Sequence, residues 1–258
     1  MNRIFLGVII FFIFFSCIKD TSPLIPVPSE ISSGSDAGIS DSIRLLYKSD
    51  AAYLAFRYIY AEKMADTQRV YIPQYLIDSF YGGLIHIYNC KTITSIDTIT
   101  KMYPVHAFPQ ISLYRLVVGI DTSYAWTKQW QQGYAITGND SIDSLIEQYE
   151  LGLAPVHSHF FIVLYSKIPL NMWTLGVIFK QIAGVQYAEP DGAGGSGNDI
   201  RASLNSEQKN YTFTIGWGDC RAGCIQRRFW EYTVSSDGTV YYLGSYGDHF
   251  DQKSYEIW

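Results

Sequence analysis

Apolar residues change their spacing along this chain, first recurring every three to four positions and later alternating every second one. Ala51, Leu54, Ala55, Tyr58 and Ile59 form a stripe that predicts a helix, opening at the N-cap candidates Ser49 and Asp50 and running to Ala61. Arg57, Glu62 and Lys63 fall off that stripe. Leu76, Phe80, Leu84 and Ile87 predict a second helix over 74–88, after Pro73 and weakened in the middle by Gly82 and Gly83. Residues 92–100, with Ile93, Ile96 and Ile99 among threonines, read as an extended connection. These two helices make a layer that must pack on something else.

From Ile111 the pattern turns to β. Residues 112–120 are apolar enough for a buried strand, and residues 159–166 form another. Between them, Trp126 and Trp130 stand four apart, as in a helical turn, and Ile142, Leu145, Ile146 and Tyr149 predict a helix over 141–151. Asn171 N-caps a further helix whose stripe is Leu175, Ile178, Phe179 and Ile182; Gly184 stops it, and residues 185–191 leave as a strand. Strand, helix and strand in so short a span imply a right-handed crossover between parallel strands. Residues 191–199 then form a Gly-rich joint leading into a strand near Ala202. Tyr211, Phe213, Ile215 and Trp217 alternate with Thr212, Thr214 and Gly216, a strand with one buried face. Its partner over 225–235 carries Trp230, Tyr232 and Val234 on one side, and Asp237-Gly238 turns the chain into the next strand over 239–244.

Composition adds an address. The chain has 258 residues, 48% of them hydrophobic, enough for one or two cores. Its formal charge of -5 has no Lys or Arg run, which argues against nucleic acid as a partner. The 21 tyrosines, 14 phenylalanines and 6 tryptophans suit strands and half-exposed contact surfaces. Met1-Asn2-Arg3 followed by an uncharged apolar run over 4–15 reads as a signal peptide, too short for a comfortable span. Phe14-Phe15-Ser16-Cys17 resembles the lipobox of bacterial lipoproteins, in the looser form of Bacteroidetes-type bacteria, with Phe14 where Leu is usual. The resemblance implies a signal peptide over 1–16, a lipid (palmitate) on Cys17 and anchoring to the outer membrane, on its periplasmic or surface face. Residues 17–40, rich in Pro, Ser and Gly, read as a disordered tether.

A second resemblance lies in the middle. Ile182-Ala183-Gly184-Val185-Gln186-Tyr187-Ala188-Glu189-Pro190-Asp191 resembles the closing helix-strand motif of the propeptide domains of subtilisin-like proteases, a likeness covering residues 160–191. Those domains are ferredoxin-like and act as chaperones and inhibitors of their protease; no subtilisin catalytic domain follows here, so the maturation role does not carry over. The expected class is α+β: a small helical N-terminal layer over 41–110, a ferredoxin-like unit over 111–191, and an antiparallel β-meander over 192–258 with a disulfide-pinned hairpin.

Candidate chemistry is sparse. Cys220 and Cys224 sit at the hairpin tip, where an exported protein oxidises them, and the ring they close fixes the shape of the tip. A redox-active pair is the alternative, against which stand the C-x-x-x-C spacing and the lack of a strand-to-helix context. Trp217, Asp219 and Arg221 around the staple are candidate binding residues, as are Glu189 and Asp191, two apart at a strand end beside the joint. Cys90 is a buried free thiol by default. His157 and His159 face one side of a strand start, but two ligands do not make a metal site. No hydrolase, zincin, P-loop or dinucleotide motif occurs, so no catalytic residue, metal or cofactor is assigned. The expected function is a lipid-anchored, non-enzymatic module that binds a protein or glycan, with an inhibitor-like role as its sharpest form. An envelope thiol oxidoreductase or hydrolase is the rival.

Overall fold

A computed structural model describes residues 27–155 and 158–250. The signal segment, Cys17, His157 and the first part of the expected tether lie outside the described residues. The chain is α+β, with two all-antiparallel sheets. In chain order the elements are β1 (Ser29–Ile31), α1 (Asp41–Ala61), α2 (Gln74–Asn89), α3 (Ser95–Asp97), β2 (Arg115–Ile120), α4 (Thr127–Gln131), α5 (Asp140–Gln148), β3 (Gly152–Leu153), β4 (Phe161–Tyr165), α6 (Met172–Phe179), β5 (Val185–Pro190), β6 (Asp199–Leu204), β7 (Gln208–Trp217), β8 (Gln226–Ser235) and β9 (Thr239–Gly247).

The first helix begins earlier than its stripe suggested. Ser40 accepts from Ile43 N as the N-cap, and Ile43 and Tyr47 extend the inward face towards it. Asp50 therefore lies inside the helix and buried. It is accommodated because its carboxylate accepts from Ala107 N at 2.8 Å and meets His106 Nδ1 at 2.7 Å. Residues 92–100 are not extended either. Ile93, Ile96 and Ile99, three apart, are all buried, and the chain coils as α3 and then a π-helical turn over Thr98–Met102. A period of three is helical, and it outweighed the β propensity of the intervening threonines.

Helices α1 and α2 pack on one face of a five-stranded sheet ordered β1-β9-β8-β7-β6. Tyr211, Phe213, Ile215 and Trp217 of β7, with Trp230, Tyr232 and Val234 of β8, meet Leu54, Ile59, Phe80 and Leu84 in one core. The N-terminal helices and the C-terminal meander thus share a single interior, although about a hundred residues separate them in sequence. Residues 27–40, expected as tether, correct that reading in part. Ser29, Glu30 and Ile31 pair with Tyr241, Val240 and Thr239 of β9, and the Glu30 carboxylate accepts from Cys90 Sγ, Lys91 N, Thr92 N and Thr92 Oγ1. A segment with little to bury is held here by backbone and carboxylate hydrogen bonds, which composition does not report.

The middle of the chain closes on a second core around Leu116, Val118, Trp130, Ile162, Leu164 and Phe179. Its sheet is ordered β3-β4-β2-β5, and β4 and β5 flank β2, both antiparallel to it. They are therefore parallel to each other, with α6 as the crossover, and the order is that of a ferredoxin-like βαββαβ unit. Asn171 caps α6 by accepting from Thr174 N, and Gly184, at φ +95°, ends its approach to β5. The other face of this sheet is open and carries exposed Phe161, Tyr165 and Tyr187.

Candidate functional site

The two faces of the five-stranded sheet differ in kind. Alternation sends Tyr211, Phe213 and Ile215 to the helices and sends Thr212, Thr214 and Gly216 to the opposite face. Cross-strand pairing sets Arg201 and Asp199 of β6 beside Thr212 and Thr214, and Glu231, Phe229 and Arg227 of β8 on their other side. Tyr246 of β9 stands opposite Phe229, and the two rings stack at 4.9 Å between centroids and 15° between planes.

Part of this outer face is hollowed into a groove of about 530 Å³. Thr212, Thr214 and Phe229 belong to its sheet side, and Phe108, Gln110 and the Gly195-Ser196-Gly197 backbone complete its lining. Arg57, Arg201 and Arg227 line it against a single carboxylate, Asp199. With Glu231 on the same face, three guanidiniums stand against two acids, which leaves a small positive excess in a chain of net charge -5.

The three arginines are not equivalent. Arg57 reaches across from α1: Nη1 donates to Asp199 Oδ1 at 2.9 Å and to the Ile200 carbonyl at 2.7 Å, and Nη2 donates to the Phe108 carbonyl at 2.8 Å. It is a clamp between helix, strand and loop. Arg227 Nη2 donates to Ser196 Oγ at 2.8 Å, which fixes the guanidinium against the glycine wall. Arg201 is exposed, and its ion pair with Asp199 Oδ2 is long, 3.5 Å. Its fork is the one left to face a ligand. The Tyr246 hydroxyl donates to Glu231 Oε1 at 3.1 Å; desolvation, and then that carboxylate, holds the phenol above its ordinary pKa.

The disulfide stands behind the wall. Cys220 and Cys224 are bonded, with Cα atoms 3.9 Å apart, and Asp219 at φ +40° turns the loop, its carbonyl accepting from Ala222 N and Gly223 N. Ser196 N donates to the Cys220 carbonyl at 2.8 Å, and Cys224 N donates to Ser196 Oγ at 2.7 Å. Ser196 thus ties the staple to Arg227. Gly195 has to be glycine: at φ +80°, a Cβ there would lie 2.4 Å from the Cys220 carbonyl oxygen. The Gly-rich run, expected as a flexible joint, is instead docked, with Ala193 N donating to the Pro109 carbonyl and Gly216 N to Asn198 Oδ1.

The sequence candidates fare unevenly against this geometry. Asp219 and Arg221 are exposed on the disulfide loop, next to the groove wall. Trp217 is not a contact residue of the tip: it is 3% exposed and its ring meets Phe250 at 5.3 Å, because the inward phase of β7 continues to the strand's last residue. Glu189 and Asp191 do not line the groove. Glu189 pairs with Lys180 at 3.7 Å and Asp191 with Arg115 at 3.1 Å, both on the four-stranded sheet unit. Sequence reasoning missed Arg57, Arg201, Arg227, Ser196, Phe229 and Tyr246. The available signal was alternation itself, since the outward positions of β6 and β8 read Asp199, Arg201 and Arg227, Phe229, Glu231, a mixture unlike a plainly solvated face.

Among the described residues no group of three or more His, Cys, Asp or Glu could hold a metal ion, and no helix is long and apolar enough to cross a membrane. No family model, curated protein or solved structure matches this chain.

Proposed function

We propose that this protein is an envelope lipoprotein, carried by a lipid on Cys17, that works as a binding module with its ligand seated in the groove of the five-stranded sheet. One observation carries the reading: Arg201 and Arg227 line one groove with a stacked Phe229–Tyr246 pair and the hydroxyls of Ser196, Thr212 and Thr214. The groove's volume falls in the range of small-ligand sites, about 300–1,000 Å³. Its wall is glycine backbone, so a ligand approaches the Ser196 and Arg227 polar atoms without displacing side chains. The staple and Arg57 hold that wall before any ligand arrives, which lowers the ordering cost of binding.

Binding is tested on the mature protein by calorimetric titration with panels of oligosaccharides and short peptides. The reading expects a saturable ligand whose affinity falls at least tenfold in Tyr246→Ala. A ligand bound equally well by Tyr246→Ala and Arg201→Gln overturns the groove as its site. Anchoring is tested separately by palmitate labelling, expected in the wild type and lost in Cys17→Ala; an unlabelled wild type removes the lipoprotein reading.

The open face of the four-stranded sheet supports a second reading for that unit. Exposed Phe161, Tyr165 and Tyr187 form an aromatic surface on a unit with ferredoxin-like strand order. An inhibitor-like role expects inhibition of a secreted subtilisin-like protease, weakened by Tyr187→Ala; no inhibition across a panel of such proteases removes it.

A further inference from the structure

We infer that the groove takes an acidic sugar, with its anionic group on Arg201 and Arg227 and its ring against the Phe229–Tyr246 stack; this rests on the groove being the binding site. Two features of the groove point to that chemistry together. The first is charge. Arg57, Arg201 and Arg227 face Asp199 in the lining and Glu231 beside it, and Arg57 already spends its donors on Asp199, Ile200 and Phe108. The surplus therefore rests on Arg201, exposed and only loosely paired, and on Arg227, whose Nη2 donates to Ser196 Oγ and whose Nη1 reaches the Gly197 carbonyl at 3.5 Å. A guanidinium fork suits a carboxylate or a sulfate, and the Arg201 fork with the Arg227 charge beside it favours an anion over a neutral ligand.

The second feature is the mixture of hydroxyls and aromatic surface. Thr212, Thr214 and Ser196 line the groove together with Phe229 and Tyr246. Sugar rings present hydroxyls at their edges and C–H groups on their faces, so hydroxyl partners beside an aromatic face match both. A peptide is the rival ligand. A peptide docking as an added strand needs an unpaired sheet edge, and beside the groove the Ile200 carbonyl on the β6 edge is already taken by Arg57 Nη1. On the other side of the sheet β1 pairs only with Thr239, Val240 and Tyr241 of β9, and among the described residues no strand pairs with β9 beside Tyr246 on that side, so a peptide has to be separated by experiment.

The test is titration calorimetry on the mature protein with four probes: a galacturonate tetramer, the same tetramer with its carboxyls reduced to alcohols, a sulfated tetrasaccharide, and a glutamate tetrapeptide. The inference expects the galacturonate or the sulfated sugar to bind, and the two arms tell which anion the forks select. It expects the reduced sugar to bind at least tenfold more weakly, Arg201→Gln to weaken the acidic sugar about tenfold, and affinity to fall with added salt. Arg201 is an exposed residue, so Arg201→Gln should melt with the wild type, which separates lost binding from lost fold. Equal binding of the reduced and acidic sugars, still weakened by Tyr246→Ala, overturns the acidic preference while leaving the groove as the site. Binding of the glutamate peptide but of neither acidic sugar overturns the sugar and likewise keeps the groove. Acidic sugar bound undiminished by both variants places the site elsewhere and overturns both readings. No binding of either acidic sugar at millimolar concentration overturns the inference.

Discussion

Glu30 and Cys90 show how much a single half-buried contact organises. The Glu30 carboxylate, accepting first from the Cys90 thiol and then from the Thr92 and Lys91 groups, is lowered from its ordinary 4.5 to about 2. The same contact works in reverse on Cys90, which burial and then the neighbouring carboxylate raise to about 12. A depressed carboxylate stabilises the fold at pH above its unfolded value of about 4.5. That contribution is lost as pH falls from there towards 2. Wild-type melting temperature should therefore drop between pH 4.5 and 2 more steeply than that of Glu30→Gln, which keeps Asp237, another carboxylate lowered to about 2. Parallel curves for the two proteins would contradict the account. Cys90 should also resist alkylation at pH 8 until the protein is unfolded. Gly83 is a second case. The sequence reads it as a weak point in α2, but a Cβ there would lie 2.0 Å from the Tyr211 hydroxyl, which donates to the Phe80 carbonyl at 3.0 Å. Gly83→Ala should improve helix propensity yet lower stability by about 1–3 kcal/mol, the cost of overpacking. A more stable variant in denaturant titration would refute that.

Among the elements, those with a strong period were legible and those fixed by long-range polar contacts were not. α2, α5, α6 and the β7–β8–β9 meander each carry a stripe or an alternation with a turn signal at its end, so their existence follows from residues near in sequence. The start of α1, the coil over 92–102 and the pairing of β1 depend on partners tens of residues away, such as Asp50 with Ala107 or Glu30 with Thr92. The binding groove belongs to the second kind. Its parts come from α1, the loop around Phe108, the Gly-rich run and four strands, and no short motif spans them. The Cys220–Cys224 hairpin is the exception, read from spacing and observed. Its weight in global stability is small, roughly 2 kcal/mol for so short a ring. Its hydrogen bonds to Ser196 give it a larger role in the groove. Cys220→Ser with Cys224→Ser should lower the melting temperature modestly while weakening ligand binding several-fold, through release of Ser196 and Arg227. Unchanged affinity would separate the staple from the site.

At the scale of the molecule, Asn171 is one of the residues that join the two cores. Asn171 is fully buried; its side chain caps α6, accepts from the Tyr60 hydroxyl and donates to the carbonyls of Thr67 and Arg69, while its backbone N donates to the Val70 carbonyl. The ferredoxin-like unit is thereby fastened to the end of α1 and the loop after it. Asn171→Ala removes a cap and the side-chain donor to the Arg69 carbonyl, while the Thr67 carbonyl keeps the Thr174 hydroxyl, so a loss of about 1–2 kcal/mol in denaturant unfolding is expected. A loss under 0.5 kcal/mol would show that the units are held by other contacts. The groove lies on the first core, on the side of the sheet away from its helices, and the open aromatic face lies on the second, so the two binding readings occupy different parts of the molecule. That separation permits one decisive measurement: NMR of arginine Nε–Hε and backbone amide signals during titration of the mature protein with a galacturonate tetramer. The account predicts shifts at Arg201, Arg227, Ser196, Thr212 and Thr214, with Arg115 and Tyr187 unmoved. Shifts gathered on Arg115, Phe161 and Tyr187 instead, or none at saturating sugar, would contradict it.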